Sequence, residues 1–187
     1  MILPVTILAV SIIAAFRQRK ARYGMIFALY ALGEISAALF NGVAGLKGNH
    51  WYIMLGVPVL YFLTVKKKND LHFYLLVLTM AVVFLLTPAD LLAQLSIIGV
   101  LHTIITIIIL KDAFLDMLES GELKMFFPVF ALSEINSVVR IITIVQGAGV
   151  VDQYFTMSAW LNVAVTIYFC FFIYGQNGHR IKIPART

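Results

Sequence analysis

Residues 25–35 read MIFALYALGEI, and a second copy of this stretch, MFFPVFALSEI, occupies residues 125–135. Six of the eleven positions are identical, one hundred residues apart, and they include the glutamates Glu34 and Glu134. Each glutamate lies in the middle of a long apolar segment, where a charged side chain is costly and rare. A duplicated acid in two such segments predicts an internal repeat whose halves share a polar site.

The composition is typical of a helical membrane protein. Of the 187 residues, 61% are hydrophobic and 12% are charged, and the mean hydropathy is +0.95. A soluble domain of this length needs more polar surface. Because lipid offers no hydrogen-bond partners to backbone amides, the long apolar runs are expected to be helices. The fold class predicted is therefore an all-α polytopic membrane protein.

Seven transmembrane spans are predicted within a single domain that covers residues 1–187. Their approximate bounds are 2–16, 23–46, 51–65, 71–86, 89–110, 125–145 and 154–174. The segment 111–124 combines acidic residues with an apolar helical face. It predicts an amphipathic linker on the cytoplasmic membrane surface, where a protein partner can dock. A basic tail, 175–187, follows the last span.

The basic residues predict the orientation of the spans. Twelve of the fourteen lysines and arginines fall in alternate loops or in the tail, and such positive charge favours the cytoplasmic side. The N-terminus is therefore expected outside and the C-terminus in the cytoplasm, in a membrane of the bacterial cytoplasmic type. The net charge of +5 is explained by these topology-determining loops, so no nucleic-acid partner is predicted. Membrane lipids are the predicted partners.

The offset of one hundred residues extends beyond the glutamate motif. Val5–Ile7 aligns with Ile105–Ile107, and Tyr61-Phe62 aligns with Tyr168-Phe169 once seven more residues are allowed in the second copy. These matches predict two parallel three-helix repeats joined by a connector helix, and the two halves are related by an axis along the membrane normal. The first repeat, the connector and the second repeat cover about 2–65, 71–86 and 89–174.

This three-one-three plan resembles that of SWEET-type sugar transporters and their PQ-loop relatives. The resemblance is confined to architecture. The chain contains no proline–glutamine pair, and Pro4, Pro58 and Pro128 do not occupy equivalent positions. Seven spans with an outside N-terminus are also typical of retinal proteins, but the seventh span has no lysine to form a Schiff base. The sequence assigns no family.

Three ionisable residues are predicted at one depth, near the bilayer midplane. Counting along the spans at about 1.5 Å per residue brings Glu34, His102 and Glu134 to similar levels. Acids in this position bind a cation, exchange a proton or hydrogen-bond a polar ligand, and His102 can complete a proton relay. In the alternative interpretation these side chains only join neighbouring helices by hydrogen bonds.

Three more polar residues are candidates for the same site. Asn41 lies two helical turns beyond the first glutamate, and Asn136 and Arg140 share one stripe of the sixth span. Arg140 either binds an anionic group that enters from outside or pairs with an acid. Pairing with Asp90 or Asp152 is the expectation.

Three classes of function are compatible with these features. The first is a small transporter or channel whose paired glutamates form a midplane site for a small polar solute or a cation. The second is a non-transporting sensor, or an anchoring subunit of a larger complex. The third is an intramembrane lipid-processing enzyme, although the sequence has no nucleophile elbow, phosphate loop or metal-binding histidine pair. The single cysteine, Cys170, excludes an intrachain disulfide. No metal or cofactor is predicted, and an oligomer is compatible with the sequence.

Overall fold

The computed structural model describes residues 2–40, 48–65, 70–146, 151–176 and 180–182. Within these residues the chain forms seven helices and two short strands. The helices are α1 (Ile2–Gln18), α2 (Gly24–Phe40), α3 (Gly48–Thr64), α4 (Asp70–Leu86), α5 (Leu91–Ser120), α6 (Phe126–Val145) and α7 (Val151–Phe171), and the strands are β1 (Glu122–Lys124) and β2 (Arg180–Lys182). Each helix overlaps one predicted span.

Six of the helices form a closed ring. Going round it, α1, α2, α3, α5, α6 and α7 pack against one another in turn, and α7 packs back on α1. The fourth helix lies outside this ring, against α3. Small residues allow the close packing: a Cβ added at Gly56 of α3 would lie 2.7 Å from Leu101 of α5. Many large apolar side chains are exposed around the outside of the bundle, which is the surface that lipid requires.

Three of the helices are long and apolar enough to cross a membrane. They are α5, α6 and the part of α7 from Tyr154 to Phe171. The apolar segments of α1, α2 and α4 are shorter. A helix of 17 residues, the length of α1, rises about 26 Å, against about 30 Å for a typical hydrocarbon core. The structure therefore supports a helical membrane protein with three clear candidate spans.

The predicted boundary at residue 110, between the fifth span and a separate linker, is wrong, because α5 runs past it. It continues without interruption to Ser120 and ends at Gly121, whose φ of +66° is favourable for glycine. No glycine or proline occurs between 111 and 120, so nothing stops the helix there. The segment 111–124 is the end of α5 followed by β1, and not an independent amphipathic helix.

Strand pairing and ion pairs close one end of the bundle. We call it the basic end, because it carries the α1–α2 turn and the two strands with their arginines and lysines. The strands pair antiparallel, with Leu123 opposite Ile181. Three ion pairs join the segments: Arg22–Asp112 at 3.3 Å, Lys124–Asp116 at 2.6 Å and Arg180–Glu122 at 3.3 Å. Burial, the largest single influence, lowers the pKa of Lys124, but the hydrogen bond to Asp116 and the charges of Tyr174 and Asp116 together outweigh it, so the pKa is raised.

A buried glutamine completes the end of α7. Gln18 is 0% exposed, and its Nε2 donates to the carbonyl oxygens of Phe169 and Phe172, both at 2.8 Å. Its Oε1 accepts from the backbone N–H of Tyr174 at 3.3 Å. The last carbonyls of a helix have no partner within the helix, so this one side chain satisfies backbone groups of α7 from the end of α1.

Replacing Gln18 by leucine is expected to lower the free energy of unfolding by about 1–3 kcal/mol, because the buried carbonyls lose their donor while the volume is nearly kept. Thermal unfolding of the detergent-purified protein measures the effect. The same replacement at the exposed Gln176 is the control. Equal effects at the two positions would show that Gln18 does not stabilise the end of α7.

Candidate functional site

A polar cavity of about 410 Å³ lies inside the helix ring. All six ring helices contribute to its lining. Its polar and charged lining residues are Ser11, Tyr30, Glu34, Asn49, Tyr52, His102, Ser133, Glu134, Ser137, Arg140, Asn162 and Thr166. Four of the six residues predicted for the site, Glu34, His102, Glu134 and Arg140, therefore line one cavity.

The cavity occupies the half of the bundle away from the basic end. Below the level of Glu134 the interior is filled by an aromatic cluster, which consists of Tyr23, Phe27, Phe126, Phe127, Phe130, Phe169 and Tyr174. Its rings are in contact with one another: the centroids of Phe27 and Phe169 are 4.9 Å apart, and those of Phe126 and Tyr174 are also 4.9 Å apart. The cavity is thus separated from the basic end by packed aromatic side chains.

Glu134 is the most enclosed charged group of the cavity, with 2% of it exposed. It lies on the face of α6 that buries Phe127, Phe130 and Ile141, at helical spacing, and this face points into the ring. Its Oε1 accepts a hydrogen bond from the Tyr30 hydroxyl at 2.9 Å. Its Oε2 lies 2.6 Å from Nδ1 of His102. A carboxylate, an imidazole and a phenol from three helices therefore share one hydrogen-bonded group that can hold or exchange a proton.

Glu34 has a different environment from its counterpart in the repeat. It is half-buried, and its Oε1 accepts a hydrogen bond from the Tyr52 hydroxyl on α3. Next to it, Gly33 faces α3, and a Cβ added there would make an ordinary van der Waals contact, 3.5 Å from the Tyr52 ring. Tyr30 of the first copy donates to Glu134 of the second. The position equivalent to Tyr30 in the second copy is Phe130, which has no hydroxyl, so Glu34 has no equivalent hydrogen bond and the two glutamates differ in their partners.

Arg140 lines the cavity without the partner expected for it. The carboxylate of Asp90 instead caps α5, where it accepts from the backbone N–H of Ala93 at 2.8 Å, so the expected pairing with Asp90 is wrong. The side chain of Asp152 lies outside the described residues. Among the described side chains no carboxylate forms a salt bridge with Arg140, whose guanidinium lies 5.2 Å from the centroid of the Phe155 ring.

Asn136 joins two helices and is not among the residues that line the cavity. It is 8% exposed, and its amide donates to the Ser158 carbonyl at 3.0 Å and to Asn162 Oδ1 at 2.9 Å. The Ser158 hydroxyl donates back to Asn136 Oδ1 at 3.1 Å. These bonds fix α6 against α7. Asn41, the sixth predicted residue, lies outside the described residues.

Sequence reasoning missed the two tyrosines that bind the glutamates. Tyr30 precedes Glu34 by four residues and so shares its helical face, a signal that was present in the sequence. Tyr52 has the position expected of an aromatic residue at the membrane interface, and nothing in its spacing indicates a contact with Glu34. Asn49 also lines the cavity, and its amide donates to Gln94 on α5 at 3.3 Å.

No group of three or more potential metal ligands of the His, Cys, Asp and Glu types is found among the described side chains. Comparison with known protein families, with functionally characterised proteins and with solved structures finds no match for this chain. The fold and the site together are those of an all-helical protein with three candidate membrane spans and a cavity inside a ring of six helices.

Proposed function

We propose that the protein is a small integral membrane transporter or channel whose solute site is the cavity inside the helix ring. The observation that carries the proposal is that both repeat glutamates, Glu34 and Glu134, line a single cavity of about 410 Å³. That volume falls in the range of about 300–1,000 Å³ usual for small-molecule sites. Acids that only joined helices would be packed against neighbours without such a space.

The packing of the helices supports seven spans in a three-one-three arrangement. In the ring, α1–α2–α3 is followed by α5–α6–α7, and each contact in the first trio has an equivalent in the second. The two remaining contacts, α3 with α5 and α7 with α1, are also equivalent to each other under a twofold axis. The peripheral α4 then serves as the connector that lets the second repeat start in the same direction as the first.

The charge distribution supports an orientation with the basic end in the cytoplasm. The N-terminus and the cavity then lie on the outer half of a bacterial-type cytoplasmic membrane. A solute enters from outside and reaches Glu34 and Glu134, while the aromatic cluster closes the route to the cytoplasm. Movement across the membrane requires this cluster to separate, as alternating access around a midplane site does in parallel-repeat transporters.

The contacts of the two glutamates suggest different roles. Glu34 has only the neutral Tyr52 hydroxyl as its observed partner, which leaves the carboxylate available to a solute. Glu134 is held by Tyr30 and His102, which suits it to proton exchange with His102. In this mechanism a proton at the Glu134–His102 pair changes the charge of the cavity and thereby the affinity for a charged solute.

Transport in liposomes tests the proposal. Purified protein would be reconstituted, and uptake of radiolabelled monovalent cations, amino acids, polyamines and sugars would be measured against empty liposomes. We expect uptake of at least one probe by the wild type, and its loss when Glu34 and Glu134 are both replaced by glutamine. The exposed Glu119, on the α5 extension, provides the control substitution Glu119→Gln. Uptake that is unchanged in the double variant would refute the proposal.

A sensor or an anchoring subunit is the second candidate function. The part of α5 beyond residue 110 favours it, because Phe114, Leu115 and Leu118 are exposed there and can contact a protein partner. The liposome assay separates the two functions. A solute that stabilises the protein but does not cross the membrane of the liposome would indicate sensing.

A further inference from the structure

Among the side chains that the structure describes, one acid and one base of the cavity have no ionic partner. Glu34 accepts only the hydrogen bond from Tyr52 among the contacts of the described residues. Arg140 forms no salt bridge with any described carboxylate, Glu34 included. The other acid of the cavity, Glu134, already has His102 at 2.6 Å. Among the described residues, the ionisable side chains of the cavity that have no ionisable partner are therefore one acid, Glu34, and one base, Arg140.

Glu34, Tyr52 and Arg140 line the same cavity. The Tyr52 hydroxyl donates to Glu34. The guanidinium of Arg140 is positioned by the Phe155 ring, 5.2 Å away, as cations over aromatic faces commonly are. Asn49, Ser137 and Asn162 add amide and hydroxyl groups to the lining.

An unpaired charge inside a membrane bundle is unfavourable, so a ligand that compensates both charges gains the most binding free energy. A lone cation would leave Arg140 without a partner, and a lone anion would leave Glu34 without one. An uncharged sugar would compensate neither. A molecule with one positive and one negative group compensates both at once.

We propose that the cavity binds a small zwitterion, with an ammonium group against Glu34 and a carboxylate or phosphate group against Arg140. This inference rests on the proposed function, because it names the chemical class of the solute. The same chemistry occurs in free α-amino acids and in the ethanolamine headgroup of lipids. The guanidinium of Arg140 suits either anion, since its planar donors match both groups.

Ligand-dependent thermal stability of the full chain in detergent tests the inference. The probes are the free α-amino acids and glycerophosphoethanolamine, which represents the headgroup. Each amino acid that raises the melting temperature is compared with its methyl ester, which lacks the carboxylate, and its N-acetyl derivative, which lacks the ammonium group. Ligand bound only to the folded state raises its stability. We expect a shift with the zwitterion and at least a tenfold weaker affinity for both blocked forms.

Substitutions then assign each charge to its residue. Arg140→Gln is expected to weaken zwitterion binding at least tenfold without changing the affinity for the methyl ester. Glu34→Gln is expected to weaken it similarly without changing the affinity for the N-acetyl form. Arg140→Lys keeps the charge and should retain measurable binding, which controls for misfolding of the glutamine variant. A shift with glycerophosphoethanolamine alone would identify a lipid headgroup as the source of the zwitterion.

Two results would overturn the inference. One is that sugars or simple cations stabilise the protein and Arg140→Gln leaves their affinity unchanged. The other is that no zwitterion shifts the melting temperature of the wild type. If liposomes still take up a sugar or a cation in a manner that requires both glutamates, the zwitterion inference fails and the transport function stands. If liposomes take up no probe at all, the transport function fails as well.

Discussion

Glu134→Ala is expected to lower the free energy of unfolding by about 3–5 kcal/mol, the usual cost of removing one partner from a buried ion pair. Glu134 is 2% exposed and holds both the Tyr30 hydroxyl and His102. Its removal leaves an imidazole and a phenol without their common hydrogen-bond partner. Chemical unfolding of the detergent-purified protein, followed by circular dichroism, measures the loss.

The repeat supplies the matched control for this substitution. Glu34→Ala removes the same side chain at the equivalent position, but Glu34 is half-buried and binds only Tyr52. It is expected to lower the free energy of unfolding by about 1 kcal/mol, the net value of one hydrogen bond. Glu134→Gln keeps an acceptor for Tyr30 and should fall between the two alanine variants. Equal losses for the two alanine variants would contradict the difference in environment described above.

The difference between the two glutamates shows what a repeat in sequence can predict. The identical residues at an offset of one hundred predicted that Glu34 and Glu134 share a site, and depth counted along the spans added His102; all three line one cavity. Helical periodicity accounts for this, because it determines which face of α2 or α6 is apolar enough to pack. Counting residues along each span then predicts that Glu34, His102 and Glu134, on three different helices, lie at a similar depth in the membrane.

The partners of these groups could not be predicted in the same way. Tyr52 and Arg140 reach the cavity through the rotation of α3 and α6 about their axes, which depends on packing and not on local periodicity. Asp90 was expected to pair with Arg140, but it caps α5, a local interaction that competes successfully because the helix N-terminus is adjacent in sequence. The pairing of β1 with β2 joins residues about sixty positions apart, and three-residue strands carry no recognisable pattern.

Phe130→Ala is expected to lower the stability of the protein and to open the aromatic cluster that separates the cavity from the basic end. Phe130 is 2% exposed and lies one helical turn from Glu134 towards the basic end. Its ring contacts those of Phe27, Phe169 and Tyr30, at centroid distances of 5.9, 6.0 and 6.2 Å. Truncation of a buried phenylalanine lowers the free energy of unfolding by about 3–5 kcal/mol.

The same truncation removes a layer between the cavity and the basic end. We expect liposomes containing the Phe130→Ala variant to leak protons, detected with an enclosed pH-sensitive dye, because water can pass where the ring was and reach Glu134 from the basic end. Phe73→Ala, on the peripheral α4 where Phe73 is 60% exposed, is the control and should neither destabilise nor leak. Tight liposomes with a destabilised variant would show that the aromatic cluster holds the helices together without being the barrier. A leak that also requires Glu134 would place the barrier between that carboxylate and Phe130, which is where a proton-coupled transporter needs to close.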